Sequence, residues 1–177
     1  MYQVKIMTEK GNFAPPYRVG IGYDIHRLVP ERKLILAGIE IPCELGLSGH
    51  SDADVVLHAV TDALLGASAL GDIGEMFPDT DPAYKDADSA QLLTQALNQV
   101  HTVGFTPVNL DTIIIAEKPK LTPYKTRMRR HLAQLLNLDE TAVNLKAKTN
   151  EGLGDIGNGD AIAAQAVVLL TKTNVVR

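Results

Sequence analysis

An apolar segment that carries an ionisable side chain at every fourth position constrains the fold of this chain most strongly. Residues 51–67 have the apolar spacing of a buried helix, for which Ser51 is the predicted N-cap in a capping-box arrangement. Residues four apart share one face of a helix, so a single polar stripe is expected from His50, Asp54, His58 and Asp62. Burying ionised carboxylates costs several kcal/mol each unless a cation compensates. The stripe therefore needs partners from elsewhere in the chain.

The nearest candidate partners are Asp24 and His26, expected just past the end of a strand that starts at Arg18. Together with His58 they supply two imidazoles and one carboxylate, a donor set that suits Zn²⁺ with an open fourth position. A zinc site built from cysteines is excluded because Cys43 is the one cysteine. Taken singly, each residue has an adequate structural role as a cap or a core histidine. Their convergence favours a metal site.

The composition of the chain bounds its organisation and its partners. At 177 residues the chain fits one domain, which we expect over residues 18–177 after a flexible N-terminal tail, residues 1–17. A net charge of -4 argues against a nucleic-acid partner. The longest apolar stretch, 161–170, is too short to cross a bilayer, so no membrane association is expected. The single cysteine fits a reducing, cytoplasmic location.

The predicted elements give the fold class. Apolar periodicity and turn signals predict helices at 51–67, around 92–100 and after Thr122-Pro123, and strands at 18–23, 33–37, 108–116, 143–149 and 162–170. This order predicts an α+β fold, in which a mixed β-sheet has helices packed on one face.

Two further segments carry polar groups whose roles the residues alone leave open. The loop with Asp72–Gly74 and Phe77–Asp81 is either a solvated turn or a site for polyol hydroxyls or a hard cation. The glycine-rich stretch 151–159 follows a strand, so Thr149 and Glu151 belong either to a hairpin loop or to a phosphate and Mg²⁺ site. Nucleoside-triphosphatase and dinucleotide glycine motifs are absent from the sequence.

These segments together resemble the 2-C-methyl-D-erythritol 2,4-cyclodiphosphate synthases of the non-mevalonate isoprenoid pathway. The resemblance runs from Arg18 to about Lys172. It is carried by Gly22-Tyr-Asp-Ile-His26, His50 to Ala67, Leu70-Gly-Asp-Ile-Gly74 and Phe77-Pro-Asp-Thr-Asp81. The resemblance implies a homotrimer with active sites between adjacent subunits. It also implies a lyase that converts 4-diphosphocytidyl-2-C-methyl-D-erythritol 2-phosphate into the cyclic diphosphate and CMP.

The resemblance implies a role for each matching residue. Zn²⁺ is assigned to Asp24, His26 and His58, and a second ion, Mg²⁺ or Mn²⁺, is held by Glu151 on the substrate diphosphate. Transition-state stabilisation is assigned to His50 and Thr149. The substrate-binding set is Asp24, His26, His50, Ser51, Asp72, Ile73, Gly74, Phe77, Pro78, Asp79, Thr80 and Asp81. The cytidine pocket of the neighbouring subunit comprises Ala116, Lys120, Leu121, Thr122, Ala147, Lys148 and Thr149.

One region departs from the family pattern. Asp155 and Asn158 stand where many members have an aromatic residue and an arginine, which are associated with an isoprenoid diphosphate cavity on the three-fold axis. Weak or absent isoprenoid diphosphate binding is therefore expected. The location implied is cytoplasmic, or the plastid stroma for a eukaryotic source. Two alternatives stay open: a zinc-dependent phosphohydrolase that uses the same ligands to activate water, and a non-catalytic trimer that binds metal or isoprenoids.

Overall fold

The computed structural model describes residues 16–173, which contain seven strands, five helices and two short 3-10 turns. The strands are β1 (Tyr17–Pro30), β2 (Leu34–Leu36), β3 (Ile39–Ile41), β4 (Leu45–Leu47), β5 (Phe105–Ile115), β6 (Val143–Lys148) and β7 (Ala161–Lys172). The helices are α1 (Val55–Ser68), α2 (Ile73–Met76), α3 (Ser89–Thr102), α4 (Lys125–Leu136) and α5 (Gly154–Asn158). The 3-10 turns are Pro82–Tyr84 and Glu140–Ala142.

The main sheet has five strands in the order β4-β1-β7-β5-β6. Strand β7 pairs antiparallel with both β1 and β5, whereas β5 and β6 are parallel. Strands β2 and β3 form a separate two-stranded hairpin. The sheet is thus mixed, and the predicted α+β class is confirmed.

Helix α1 lies directly across β1 because two glycines leave room for its backbone. A Cβ on Gly22 would stand 1.9 Å from the carbonyl oxygen of Ala59, and a Cβ on Gly20 would stand 2.0 Å from that of Ala63. Gly20 and Gly22 share one face of β1 with Asp24 and His26, since side chains alternate along a strand. This close packing carries α1 along the face of β1 on which the predicted metal ligands lie.

The opposite face of β1 is apolar and exposed. Val19 and Ile21 are 68% and 63% exposed, and the same face includes the exposed residues Tyr17, Tyr23 and Ile25. Large apolar side chains in such a row are typical of a surface that another protein covers. Among residues 16–173, no helix combines the length and the apolar character that spanning a membrane requires.

Several predicted boundaries are wrong. Asp24 and His26 lie inside β1, which continues to Pro30 because it pairs with β7 as far as Arg27 and then with β4. Helix α1 begins at Val55, so its N-cap is Asp54 and not Ser51. His50 therefore precedes the helix and is not part of its stripe. The predicted tail, residues 1–17, falls outside the described residues except for its end, where β1 starts at Tyr17.

Candidate active site

The three predicted zinc ligands lie together at the contact between β1 and α1. His58 Nδ1 is 2.9 Å from Asp24 Oδ2 and 3.1 Å from His26 Nε2. His26 Nε2 is also 2.9 Å from Asp24 Oδ2, so the three donor atoms form a small triangle. Strand alternation places Asp24 and His26 on one face of β1, and α1 delivers His58 from above that face.

The triangle has a size that suits a tetrahedral ion. Ligand bonds of about 2.0–2.1 Å give edges of about 3.3–3.4 Å between donor atoms in tetrahedral geometry. The observed edges of 2.9–3.1 Å are shorter by only a few tenths of an ångström. Asp24, His26 and His58 are each partly exposed, so a fourth position can face the adjoining cleft. The residues present therefore fit a metal ion.

The charges in the triangle stabilise one another. Burial raises the pKa of Asp24, but its hydrogen bonds and charge interactions with His26 and His58 outweigh that effect and hold the pKa well below its usual range. Desolvation lowers the pKa of His58, but Asp24 and two further carboxylates raise it overall. The triangle thus holds an ionised carboxylate, which is the form that coordinates a cation.

Asp54 anchors the start of α1. Its Oδ1 accepts the backbone N–H groups of Ala37, Val56 and Leu57, and its Oδ2 accepts that of Gly38. The carboxylate therefore ties the β2–β3 turn to the first turn of the helix, one turn before His58. In the described structure Asp54 holds in place helix α1, which carries the predicted metal ligand His58.

The other edge of the His58 ring faces two buried serines. Its Nε2 atom is 3.0 Å from Ser51 Oγ and 3.0 Å from Ser89 Oγ. Ser89 in turn donates a short hydrogen bond to Asp52 Oδ1, and its backbone N–H donates to Asp52 Oδ2 at 3.2 Å. Ser51, predicted to bind substrate, thus also contacts the predicted ligand His58.

A cleft of about 520 Å³ opens beside the triangle. Most of the predicted substrate-binding residues line it, namely Asp24, His26, His50, Ser51, Ile73, Gly74, Phe77, Pro78 and Asp79. Asp72, Thr80 and Asp81 do not line the cleft. Asp72 instead caps α2 by accepting the N–H of Glu75, and Asp81 caps the 3-10 turn at Pro82–Tyr84.

One further residue of the cleft lining, Asp62, had a sequence signal that was not used, because it belongs to the predicted polar stripe but not to the predicted substrate-binding set. Asp62 is the fourth member of the stripe, lines the cleft and accepts the backbone N–H of Ile73. Burial raises the pKa of Asp62, and the charges of Asp72 and Asp24 add to this effect. Tyr84 and Leu92 also line the cleft, but nothing in their local sequence distinguishes them from ordinary packing residues.

A second cleft, of about 330 Å³, lies where β5 and β6 end. It is lined by all seven residues predicted to bind cytidine, namely Ala116, Lys120, Leu121, Thr122, Ala147, Lys148 and Thr149. The parallel pairing of β5 with β6 brings their carboxyl ends together and so builds this cleft. Glu117 and Pro119, which lie within the matching range 116–122, complete the lining.

Glu117 shapes the loop that carries Thr149 and Glu151. Its Oε1 accepts the backbone N–H groups of Asn150 and Gly152, which flank Glu151. Thr149 Oγ1 donates to Glu151 Oε1 at 2.8 Å, and Glu151 has a left-handed backbone with φ of 52°. Thr149 thus lines the second cleft and hydrogen-bonds Glu151, and the metal triangle of the same chain does not include Glu151.

Comparison with known proteins identifies the family. The YgbB family model matches residues 17–171. The 2-C-methyl-D-erythritol 2,4-cyclodiphosphate synthase of Chloroherpeton thalassium is 55% identical over 155 residues, which are 88% of this chain and 99% of that protein.

Solved structures agree with this relationship. Bifunctional IspDF from Campylobacter jejuni superposes with a TM-score of 0.87 at 43% identity over 91% of this chain, which spans 44% of that longer protein. A 2C-methyl-D-erythritol-2,4-cyclodiphosphate synthase in its CDP-bound form superposes with a TM-score of 0.80 at 40% identity, covering 86% of this chain and 99% of that one. This chain belongs to the YgbB family and is an enzyme of the 2-C-methyl-D-erythritol 2,4-cyclodiphosphate synthase class.

Proposed function

We propose that the chain catalyses a metal-dependent cyclisation of 4-diphosphocytidyl-2-C-methyl-D-erythritol 2-phosphate. An oxygen of the 2-phosphate attacks the β-phosphorus, and the bond from that phosphorus to the oxygen bridging it to CMP breaks. The products are 2-C-methyl-D-erythritol 2,4-cyclodiphosphate and CMP, which leaves with the bridging oxygen. The observation that carries this proposal is the triangle of Asp24, His26 and His58 beside a cleft of about 520 Å³, in a chain of this family.

Two sets of residues are proposed to hold metal ions. Asp24, His26 and His58 would hold Zn²⁺, and Glu151 would hold Mg²⁺ or Mn²⁺ on the substrate diphosphate. When bound, these ions supply Lewis-acid polarisation and neutralisation of the phosphate charge. The hydrogen bond from Thr149 to Glu151 orients that carboxylate, which supports its role as a ligand.

The remaining residues of the first cleft have to bind the methylerythritol and stabilise charge. A phosphate monoester is mostly dianionic at neutral pH, so the attack needs no strong general base. His50 and Thr149 are proposed to stabilise the transition state, His50 by donating a hydrogen bond to a phosphate oxygen and Thr149 by orienting the Glu151 carboxylate. His50 is exposed at the cleft, with Nε2 3.3 Å from the Asp81 carbonyl oxygen. Phe77 and Leu92 provide apolar walls that exclude water, which would otherwise compete as the nucleophile.

The proposed active assembly is a homotrimer in which the second cleft binds the cytidine of a substrate held by the neighbouring subunit. Two observations support this arrangement. The exposed apolar face of β1 offers a contact surface for further copies of the chain. Glu151 accepts a hydrogen bond from Thr149, which lines the second cleft, and is not part of the metal triangle of its own chain, whereas the proposed reaction needs both groups around one diphosphate.

A product assay tests the proposed reaction. The purified protein with Zn²⁺ and Mg²⁺ is expected to release CMP and form a cyclic diphosphate, identified by phosphorus NMR. His58→Ala should abolish both zinc uptake and CMP release while the chain stays folded, since the buried apolar face of α1 is unchanged. An acyclic phosphate as the product would instead support the zinc-dependent phosphohydrolase. Full activity in metal-free protein would refute the metal-dependent mechanism.

A further inference from the structure

The His58 ring has a hydrogen-bonding edge that the proposed reaction does not use. Nδ1 faces Asp24 and His26, whereas Nε2 faces Ser51 and Ser89. A neutral imidazole has one N–H and one lone pair, and only the nitrogen with the lone pair can coordinate a metal. Whatever controls the proton on Nε2 therefore controls whether Nδ1 can act as a ligand.

Ser89 has its single hydroxyl proton committed elsewhere. The side chain is buried, and its Oγ forms a hydrogen bond with Asp52 Oδ1. An ionised carboxylate can only accept, so the Ser89 hydroxyl donates to Asp52. The backbone N–H of Ser89 donates to the other Asp52 oxygen at 3.2 Å, which fixes the pair. Ser89 Oγ consequently offers only a lone pair to His58.

Ser51 has a different set of partners. Its Oγ accepts the backbone N–H of Ala53 at 3.1 Å and lies 3.4 Å from Ser89 Oγ. No carboxylate contacts the Ser51 hydroxyl among the described residues. Its proton is free to rotate toward Ser89 or toward His58, so Ser51 does not impose one protonation state on the ring.

We propose that Ser89, held by Asp52, is a positioning residue that keeps the proton of neutral His58 on Nε2 and leaves the Nδ1 lone pair directed at Asp24 and His26. The inference rests on the proposed metal site. Metal binding expels the protons that compete for the ligand atoms, and the proton that remains on the ring must then sit on Nε2. Partners that fix the orientation and tautomer of a ligand histidine typically change metal affinity by about 10–100-fold.

Zinc affinity of the full chain, measured by competition with a chelator on metal-free protein, tests this role. Ser89→Ala is expected to weaken Zn²⁺ binding by about 10–100-fold. Ser51→Ala should weaken it by no more than about threefold, because the Ser89 acceptor remains. The matched control is Ser68→Ala: Ser68 is buried in α1, and its hydroxyl has no hydrogen-bond partner in the described structure. That variant should bind Zn²⁺ as the wild type does.

A spectroscopic signature separates positioning from a loss of stability. In zinc-loaded ¹⁵N-labelled wild type, the His58 Nε2–H should give a hydrogen-bonded proton resonance that exchanges slowly with solvent. In Ser89→Ala that proton should exchange at least tenfold faster, while circular dichroism stays unchanged.

Three outcomes would overturn the inference. They are wild-type Zn²⁺ affinity in Ser89→Ala, a larger loss in Ser51→Ala than in Ser89→Ala, and the absence of a protected Nε2–H in the wild type. The test for a protected Nε2–H remains decisive even if Ser89→Ala does not fold, because it uses the wild type. Failure of the wild type to bind Zn²⁺ would refute the metal site itself.

Discussion

The contact between Gly22 and α1 allows a sharp test of how the fold builds the metal triangle. In Gly22→Ala the new Cβ would stand 1.9 Å from the carbonyl oxygen of Ala59, whereas ordinary contact begins at 3.4 Å. The obstructing atoms are backbone, so no side chain can rotate away. Strand β1 and helix α1 must separate by roughly 1.5 Å at this point, or the helix must shift along the strand.

The expected loss can be estimated from this clash. Adding a methyl group to a well-packed core costs about 1–3 kcal/mol, and a clash with rigid backbone belongs at or above the upper end of that range. For a domain of this size, a loss of about 3 kcal/mol lowers Tm by roughly 6–12 °C. Asp24 and His58 sit on the two elements that move apart, so the 2.9 Å between their donor atoms should widen and Zn²⁺ affinity should fall at least tenfold.

Gly66→Ala is the matched control. Gly66 lies in α1, and a Cβ there would meet no heavy atom within 4 Å. The same substitution should therefore stabilise the protein by about 0.5–1 kcal/mol through helix propensity alone. Thermal unfolding followed by circular dichroism at one protein concentration measures the change in Tm. A chelator-competition titration measures the change in Zn²⁺ affinity. A Tm of Gly22→Ala within 1 °C of the wild type would show that α1 and β1 are not packed as described.

Three other predictions address the helix cap, the assembly and the three-fold cavity. Asp54→Asn should lower the free energy of unfolding by about 2–3 kcal/mol in urea denaturation, because an N–H at one of the two carboxylate oxygens would face an amide NH₂ and the other N–H groups would keep only a neutral acceptor. Asp88→Asn, at an exposed cap with one such bond, should change it by under about 0.5 kcal/mol; equal losses would contradict the assigned role. Ile21→Glu should convert the proposed trimer to monomer in sedimentation, and an intact trimer would exclude the β1 face as the interface. Calorimetric titration of the proposed trimer with an isoprenoid diphosphate should show weak or no binding because of Asp155 and Asn158, and tight binding would contradict this.

The group of candidate metal ligands could be predicted because its signal is local. Asp24 and His26 are separated by one residue, which puts them on one face of a strand, and His58 lies on a helix with a clear apolar period. Their chemistry adds to this signal, since two imidazoles and a carboxylate form a donor set that suits a metal ion.

Features that depend on contacts between distant segments could not be predicted from the sequence. The extension of β1 to Pro30 follows from pairing with β7 and β4, and no periodicity in β1 reveals those partners. The cap was assigned to Ser51 because its spacing to Asp54 matches a capping box, but the four N–H groups that converge on Asp54 favour a later start. Ser89 was overlooked because it reaches His58 only through tertiary contacts.

Two backbone hydrogen bonds join the residues before α1 to those before α3 and so close the intervening chain into one unit. The N–H of Asp52 donates to the Ala87 carbonyl at 3.0 Å, and that of Asp86 donates to the His50 carbonyl at 2.8 Å. The bonds from Ser89 to Asp52 extend this closure. These bonds enclose residues 52–86, so the unit contains both helix α1 with His58 and the loop that lines the cleft. An exchange of that loop is therefore expected to move His58 together with the cleft, and not the cleft alone.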